Sequence, residues 1–240
     1  MKNVWLISRR ELAAYLRTMS GYIIIAVMLF IDGLLFNAFA VPGTAKKSSE
    51  ILADFFTLTS GITMVGTVFL SMRLIAEERQ TGTIALLNSS PVLDLEIILG
   101  KFLAAFLFLC LFFASTAYMP ALIAAYGKVS FGHIAAGYFG LMLVGATGLA
   151  IGTFGSALSR SQVVAAVLSG VMVLALTTAW LAGKITDRPF TEIVNGLAWW
   201  GHFDAFRVGV IHLKHVSYFA LITFIALFSA TRVLEARRWR

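Results

Sequence analysis

The sequence predicts an all-α membrane protein with six transmembrane helices, and three observations predict it. Of its 240 residues, 59% are hydrophobic and only 13% charged. A soluble domain carries about a quarter charged residues, so a water-soluble fold would lack the polar surface to cover itself. The apolar residues come in long blocks, which is the pattern of membrane spans rather than of a soluble core. Those blocks show no alternating barrel pattern, and backbone groups in lipid must be satisfied internally, so helices follow.

The first element is residues 2–20. Trp5, Leu12, Leu16 and Met19 fall on one stripe and Arg10 and Arg17 on the other side, which predicts a helix lying on the membrane surface. Six spans follow, at 21–41, 55–75, 97–126, 134–158, 163–182 and 216–233. Each is near or above the roughly 20 residues that cross about 30 Å of hydrocarbon. The third is long enough to hold a turn or kink near Pro120. Between the last two spans, residues 183–215 exceed a simple hairpin. This outer loop carries Phe190, Leu197, Trp199, Trp200 and Phe203, residues that favour the headgroup layer. It reads as one or two short interfacial or re-entrant helices, with Pro189 helping to start one. The first apolar run follows a charged segment and is too long for a signal peptide.

Orientation comes from Lys and Arg. Six spans put both termini on one side. That side also holds the 73–101 segment, and it collects twelve of the nineteen basic residues. The excess places both termini and that segment in the cytoplasm. The net charge of +7 and pI near 9.8 do not indicate nucleic acid. The basic residues flank apolar runs and form no continuous basic face, so the bilayer is their partner. A lone Cys110 excludes an internal disulfide and a multi-cysteine metal site.

One segment breaks the apolar pattern. Residues 73–101 read RLIAEERQTGTIALLNSSPVLDLEIILGK and hold Glu77, Glu78, Asp94 and Glu96 beside Arg73, Arg79 and Lys101. Glu77, Glu78 and Arg79 are too densely charged for lipid, so the water boundary lies there. Gly82 permits a strained turn, and Thr81 or Thr83 can cap the next helix. Residues 84–88 then make about one and a half turns with an apolar side, and Pro91 ends that helix by Ser90. Lys101 is placed to snorkel back to the interface. A short amphipathic helix held across two spans suits insertion into a groove on a partner in water. An ordinary connecting loop resting on the membrane is the other reading of the same residues.

The residues of this elbow resemble a known signature. EERQTGTIALLNSSPVLDLEIILGKFLAA is similar to the "EE…GT…ELL…SP…I..GK" pattern of ABC-2-type permeases, the membrane subunits of ABC exporters. The opening SRRELAAYLRTMSGYIIIAVMLFIDGLLF and the ending, which closes on RVLEARRWR, also resemble that family. They look closest to its gliding-motility (GldF-like) and copper-maturation (NosY-like) branch. The resemblance covers essentially the whole chain and implies the family's six-span plan. It implies that residues 83–91 form the coupling helix that sits in a cleft of the ATPase subunit. Thr83, Ile84, Leu86, Leu87 and Pro91 then belong to the helix, and Glu77, Glu78 and Arg79 lie at its entry. It implies that residues 2–20 are the connecting helix and 183–215 the extracellular re-entrant segment. The implied partners are a cytoplasmic ABC ATPase, a second permease copy or paralogue, and a periplasmic-facing protein. Asn88-Ser89 departs from the pattern, since relatives carry a longer apolar run there.

No cofactor is expected in this chain, and ATP and magnesium belong to the partner ATPase. Gly100-Lys101, Gly127-Lys128 and Gly183-Lys184 lack the upstream glycine and the following Ser or Thr of a phosphate-binding loop. The chain by itself is therefore expected not to be an enzyme. Asp32 lies mid-span in an apolar helix and must face the bundle interior or a wet cavity. It reads either as a substrate or proton contact or as a structural hydrogen bond to a Thr or Asn of a neighbouring helix. Thr59, Thr63 and Thr67 of the second span read equally as a translocation path and as close helix packing. Gly148, Gly152 and Ser156, at spacing four, read as a packing face. His202, Asp204, His212 and His215 in the outer loop suggest interfacial polar residues or, on spacing alone, a zinc or copper site; no metal site is assigned. A non-transporting scaffold or an intramembrane enzyme using Asp32 and the histidines is the alternative function.

Overall fold

The computed structural model describes residues 2–40, 47–83, 92–185, 196 and 198–238. Every regular element among them is helical, and six helices are long and apolar enough to cross a membrane. In chain order the helices are α1 (Lys2–Arg17), α2 (Met19–Leu35), α3 (Ser48–Ser71), α4 (Ala76–Gln80), α5 (Asp94–Thr116), α6 (Tyr118–Tyr126), α7 (Phe131–Leu158), α8 (Gln162–Ile185), α9 (Trp199–Arg207) and α10 (Leu213–Arg238). A π-helical turn, Phe36–Ala40, extends α2.

Helix α7 is the axis of the bundle, and α3, α5, α8, α9 and α10 all pack on it. Its sequence explains this. Apolar side chains cannot drive association in lipid, so helices gather where small residues let backbones come close. Gly148 faces Thr67 and Gly152 faces Ser71, so the hydroxyl face of α3 lies along the glycine face of α7. Ser169 of α8 donates to the Gly152 carbonyl at 3.2 Å on the same stretch. A Cβ at Gly152 would fall onto the Ser71 hydroxyl. Gly152→Leu is therefore expected to destabilise the bundle by at least the ~1–3 kcal/mol typical of overpacking. Thermal unfolding in detergent measures it, and an unchanged melting temperature would contradict the packing.

Helix α1 breaks from α2 at Thr18, whose backbone is extended. Of the predicted apolar stripe, Trp5 and Leu16 of α1 and Met19 at the start of α2 are exposed, whereas Leu12 packs against the core. The adjacent face, with Ser8 and Tyr15, is buried. Ile7 lies against Gly100 of α5, Tyr15 stacks on Phe108 with ring centroids 5.0 Å apart, and the Tyr15 hydroxyl donates to the Leu70 carbonyl at 3.0 Å. The third span breaks where expected. Pro120 cannot continue the α5 hydrogen-bond ladder, so α5 stops at Thr116 and α6 restarts at Tyr118.

Of the outer loop, α9 is the described helix, and Pro189, Phe190 and Leu197 lie outside the described residues. Trp199 and Phe203 turn towards the bundle, while Trp200 is exposed. The first two are buried, and Phe206 packs on Gly140 of α7. The amphipathic segment turns its aromatic face into the bundle because α7 offers glycine there.

Candidate functional site

The elbow forms at one end of the bundle. After Ser71 the chain makes a turn over 72–75 and re-forms as α4. The start of so short a helix needs a donor sink, and α7 supplies it. Ser156 Oγ accepts from the Ile75 and Ala76 backbone N–H groups at 3.1 and 3.0 Å and donates to the Met72 carbonyl at 3.3 Å. Gly82, at φ +74°, stops the helix with a left-handed turn. Thr81 reaches back along α4, and the helix that it or Thr83 was expected to cap lies outside the described residues. The Thr81 hydroxyl donates back to the Glu77 carbonyl at 2.9 Å and meets Thr83 Oγ1 at 3.0 Å, so both threonines close α4 from behind. Ile84, Leu86, Leu87 and Pro91 lie outside the described residues.

The charges of the elbow fasten it to several helices. Lys101 of α5 was expected to reach water, but it is enclosed, with a side chain only 3% exposed. Its Nζ lies 2.8 Å from Glu78 Oε1 of α4 and 3.3 Å from Glu11 Oε1 of α1. Two carboxylates at this depth hold the ammonium more favourably than a stretched path to the surface would. Burial raises the Glu11 carboxyl, but the Lys101 ammonium and the Arg10 guanidinium outweigh it and hold the group below its ordinary value. Arg73 grips Glu77 with two bonds, Nε to Oε2 at 2.8 Å and Nη2 to Oε1 at 3.1 Å, and its Nη1 donates to Ser20 Oγ of α2.

Arg79 turns the other way. Its Nη1 donates to the Ser159 carbonyl at 2.9 Å and to the Ala157 carbonyl. Arg237 of α10 donates to the neighbouring Leu158 carbonyl at 2.7 Å. Two guanidiniums thus satisfy the last carbonyls of α7, where the helix dipole is negative. Gln80 Oε1 accepts from the Gln162 backbone N–H, at the start of α8, at 3.3 Å. Beside this wiring lies a charged cleft of about 270 Å³, lined by Glu11, Tyr15, Arg73, Glu77, Glu78 and Lys101.

The other predicted residues lie elsewhere. Asp32 is fully buried and accepts from Thr59 Oγ1 at 2.9 Å, the bond to a neighbouring-helix threonine that one sequence reading named. Its second carboxylate oxygen has no partner among the described residues. Thr63 and Thr67 are fully buried, and their hydroxyls bond back to the Thr59 and Met64 carbonyls at 2.7 Å each. Both sit against α7 glycines, so close packing is what these residues do here.

His202 and His215 do meet, Nδ1 to Nδ1 at 2.9 Å, and His202 stacks on Tyr218 with centroids 3.8 Å apart. Asp204 is not with them and pairs with Arg207 at 2.7 Å. Among the described residues no group of three or more His, Cys, Asp or Glu could hold a metal ion. Asp32 ties α2 to α3, whereas the histidine pair ties α9 to α10, so the alternative enzyme reading finds no joint site.

Sequence reasoning missed Glu11 and Ser156. Glu11 is the one acid in residues 2–20, and that isolation was a usable signal. Ser156 was read as a packing residue, and nothing in its own segment indicates that it caps α4.

The arrangement can transmit force. Its acids and bases are bound to one another, and the helix they hold touches both the membrane body and the segment that leaves it. None of the curated proteins compared with the chain matches it. The family model described as ABC-2 family transporter protein matches residues 7–231, nearly the whole chain and the whole elbow. The chain therefore belongs to the ABC-2 transporter family, the multi-pass membrane permease subunits of ABC transporters.

Proposed function

We propose that this permease converts ATP hydrolysis by a separate cytoplasmic ATPase into export, or into mechanical work on a periplasmic-facing partner. The observation that carries the reading is the fastening of α4. It is tied to α1 and α5 through Glu78–Lys101–Glu11, to α2 through Arg73 and Glu77, to α7 through Arg79 and Ser156, and to α8 through Gln80. A push on the segment after Gly82 then reaches the ends of five helices rather than bending one loop. Such a rigid lever suits a motion that tilts spans as bodies.

In this reading residues 83–91 are the coupling helix. The elbow and both termini face the cytoplasm of an inner membrane, and α1 is the connecting helix. Two permease subunits, identical or paralogous, pair above two ATPases that bring ATP and magnesium. The gliding-motility and copper-maturation branch fits the mechanical version, supported by the RVLEARRWR ending.

Replacing Leu86 and Leu87 together with Asp tests the docking. The doubly substituted permease is expected to insert in the membrane normally while co-purification of the ATPase falls at least tenfold. Undiminished co-purification would remove residues 83–91 from the docking role.

A further inference from the structure

We propose that the groove between α2 and α3 binds one acyl chain of a zwitterionic glycerophospholipid, drawn from the leaflet at the elbow end, with the headgroup held at Arg73 and Glu77. This site is independent of which protein docks at the elbow. The groove has a volume of about 590 Å³, and Ile23, Val27 and Ile31 of α2 face Val65 and Phe69 of α3 across it, with Gly61 at its floor. It runs along α2 from Ile23 to Leu35, twelve residue steps or about 18 Å of helix. One leaflet of a hydrocarbon core about 30 Å thick offers about 15 Å, so the groove matches a single chain of one leaflet in length.

The elbow end of the groove is closed by charge. Ser20 lies one turn before Ile23 and Arg73 one turn beyond Phe69, and these two are hydrogen-bonded to each other. Arg73 also carries the Glu77 carboxylate. Beyond the groove's end, one cation and one anion thus stand side by side, in the charged cleft they share with Glu11, Glu78 and Lys101. An anionic headgroup would meet Glu77 and a cationic amphiphile would meet Arg73. A phosphate beside the guanidinium with an ammonium beside the carboxylate satisfies both. The exposed Trp5 and Leu16 of α1, with Met19 at the start of α2, set the headgroup layer at this level.

Gly61 provides the test, because a Cβ there meets nothing within 4 Å. Gly61→Trp therefore puts a bulky side chain into the groove from an open position. The full-length protein is placed in nanodiscs of phosphatidylethanolamine and phosphatidylglycerol. A trace of phosphatidylethanolamine with a photoreactive acyl chain is added, and peptide mass spectrometry reads the labelled positions. The wild type is expected to be labelled on α2 and α3 around Val27 and Val65. Labelling there should drop at least fivefold in Gly61→Trp, and Arg73→Gln should remove the preference for phosphatidylethanolamine over a matched photoreactive phosphatidylglycerol. Gly61→Leu gives the same readout if the tryptophan variant fails to fold. Undiminished labelling in both Gly61 variants, or equal labelling of the wild type by the two lipids, would overturn the site. Disulfides between two copies of Val27→Cys in the same bilayer would also overturn it, by giving the groove to a second copy of the chain.

Discussion

Lys101→Met is expected to lower stability by about 3–5 kcal/mol, the range for removing one member of a buried ion pair. The substitution leaves Glu11 and Glu78 facing the space the ammonium held, each buried enough that solvent does not screen them fully. Glu78 already has one carboxylate oxygen without a partner among the described residues, so the loss of Lys101 removes the ion pair that its other oxygen makes. Lys101→Arg keeps the charge and should recover part of the loss, limited by the bulk of a planar guanidinium in an enclosed site. The informative companion is the double substitution Lys101→Met with Glu78→Gln. It removes the stranded charge on α4, so stability should return by at least half. Denaturation in mixed micelles of the four proteins of this cycle measures the coupling. A loss below about 1 kcal/mol for Lys101→Met, the scale of an exposed pair, would mean that the triad is solvated and does not fasten the elbow.

The spans were legible because length and hydropathy act locally: a helix that must sit in lipid writes its requirement into its own residues. The glycine stripe of α7 was legible as a packing face for the same reason. What it packs against was not. Thr67 and Ser71 are matched to Gly148 and Gly152 by the fold, some eighty residues away. The Lys101 misreading has this origin. Its own neighbours describe a span entrance, where a lysine ordinarily reaches for water, and its partners Glu11 and Glu78 arrive only through the docking of α1 and α4 on α5. The aromatics of α9 carried an amphipathic signal that fits both the headgroup layer and a glycine-lined helix face. Only the glycines of another helix decide between them. The outer-loop set divides for the same reason: His202 and His212 both lie against His215, but Asp204 turns to Arg207, and spacing along the chain cannot show either.

Asp32→Leu is expected to make the protein more stable, by about 1–3 kcal/mol. A buried polar atom without a hydrogen bond costs about 1–3 kcal/mol in folded proteins, a cost that a leucine in its place does not carry. The structure shows little that offsets that cost. One carboxylate oxygen takes the Thr59 hydroxyl at 2.9 Å, and the other has no partner among the described residues. Thr59 loses little when that bond goes, since a threonine in a helix can turn its hydroxyl to a carbonyl of the preceding turn, as Thr63 does. Asp32→Asn keeps an acceptor for Thr59 and should lie between the two. A buried carboxyl that weakens its own fold and still occupies the middle of a span is placed as functional groups are, where stability and activity trade against each other. The stabilised Asp32→Leu protein should therefore lose activity in the assembled transporter while still co-purifying with its ATPase. If Asp32→Leu instead lowers the denaturation midpoint, the carboxyl is bound more fully than Thr59 alone accounts for, and its role is to hold α2 against α3.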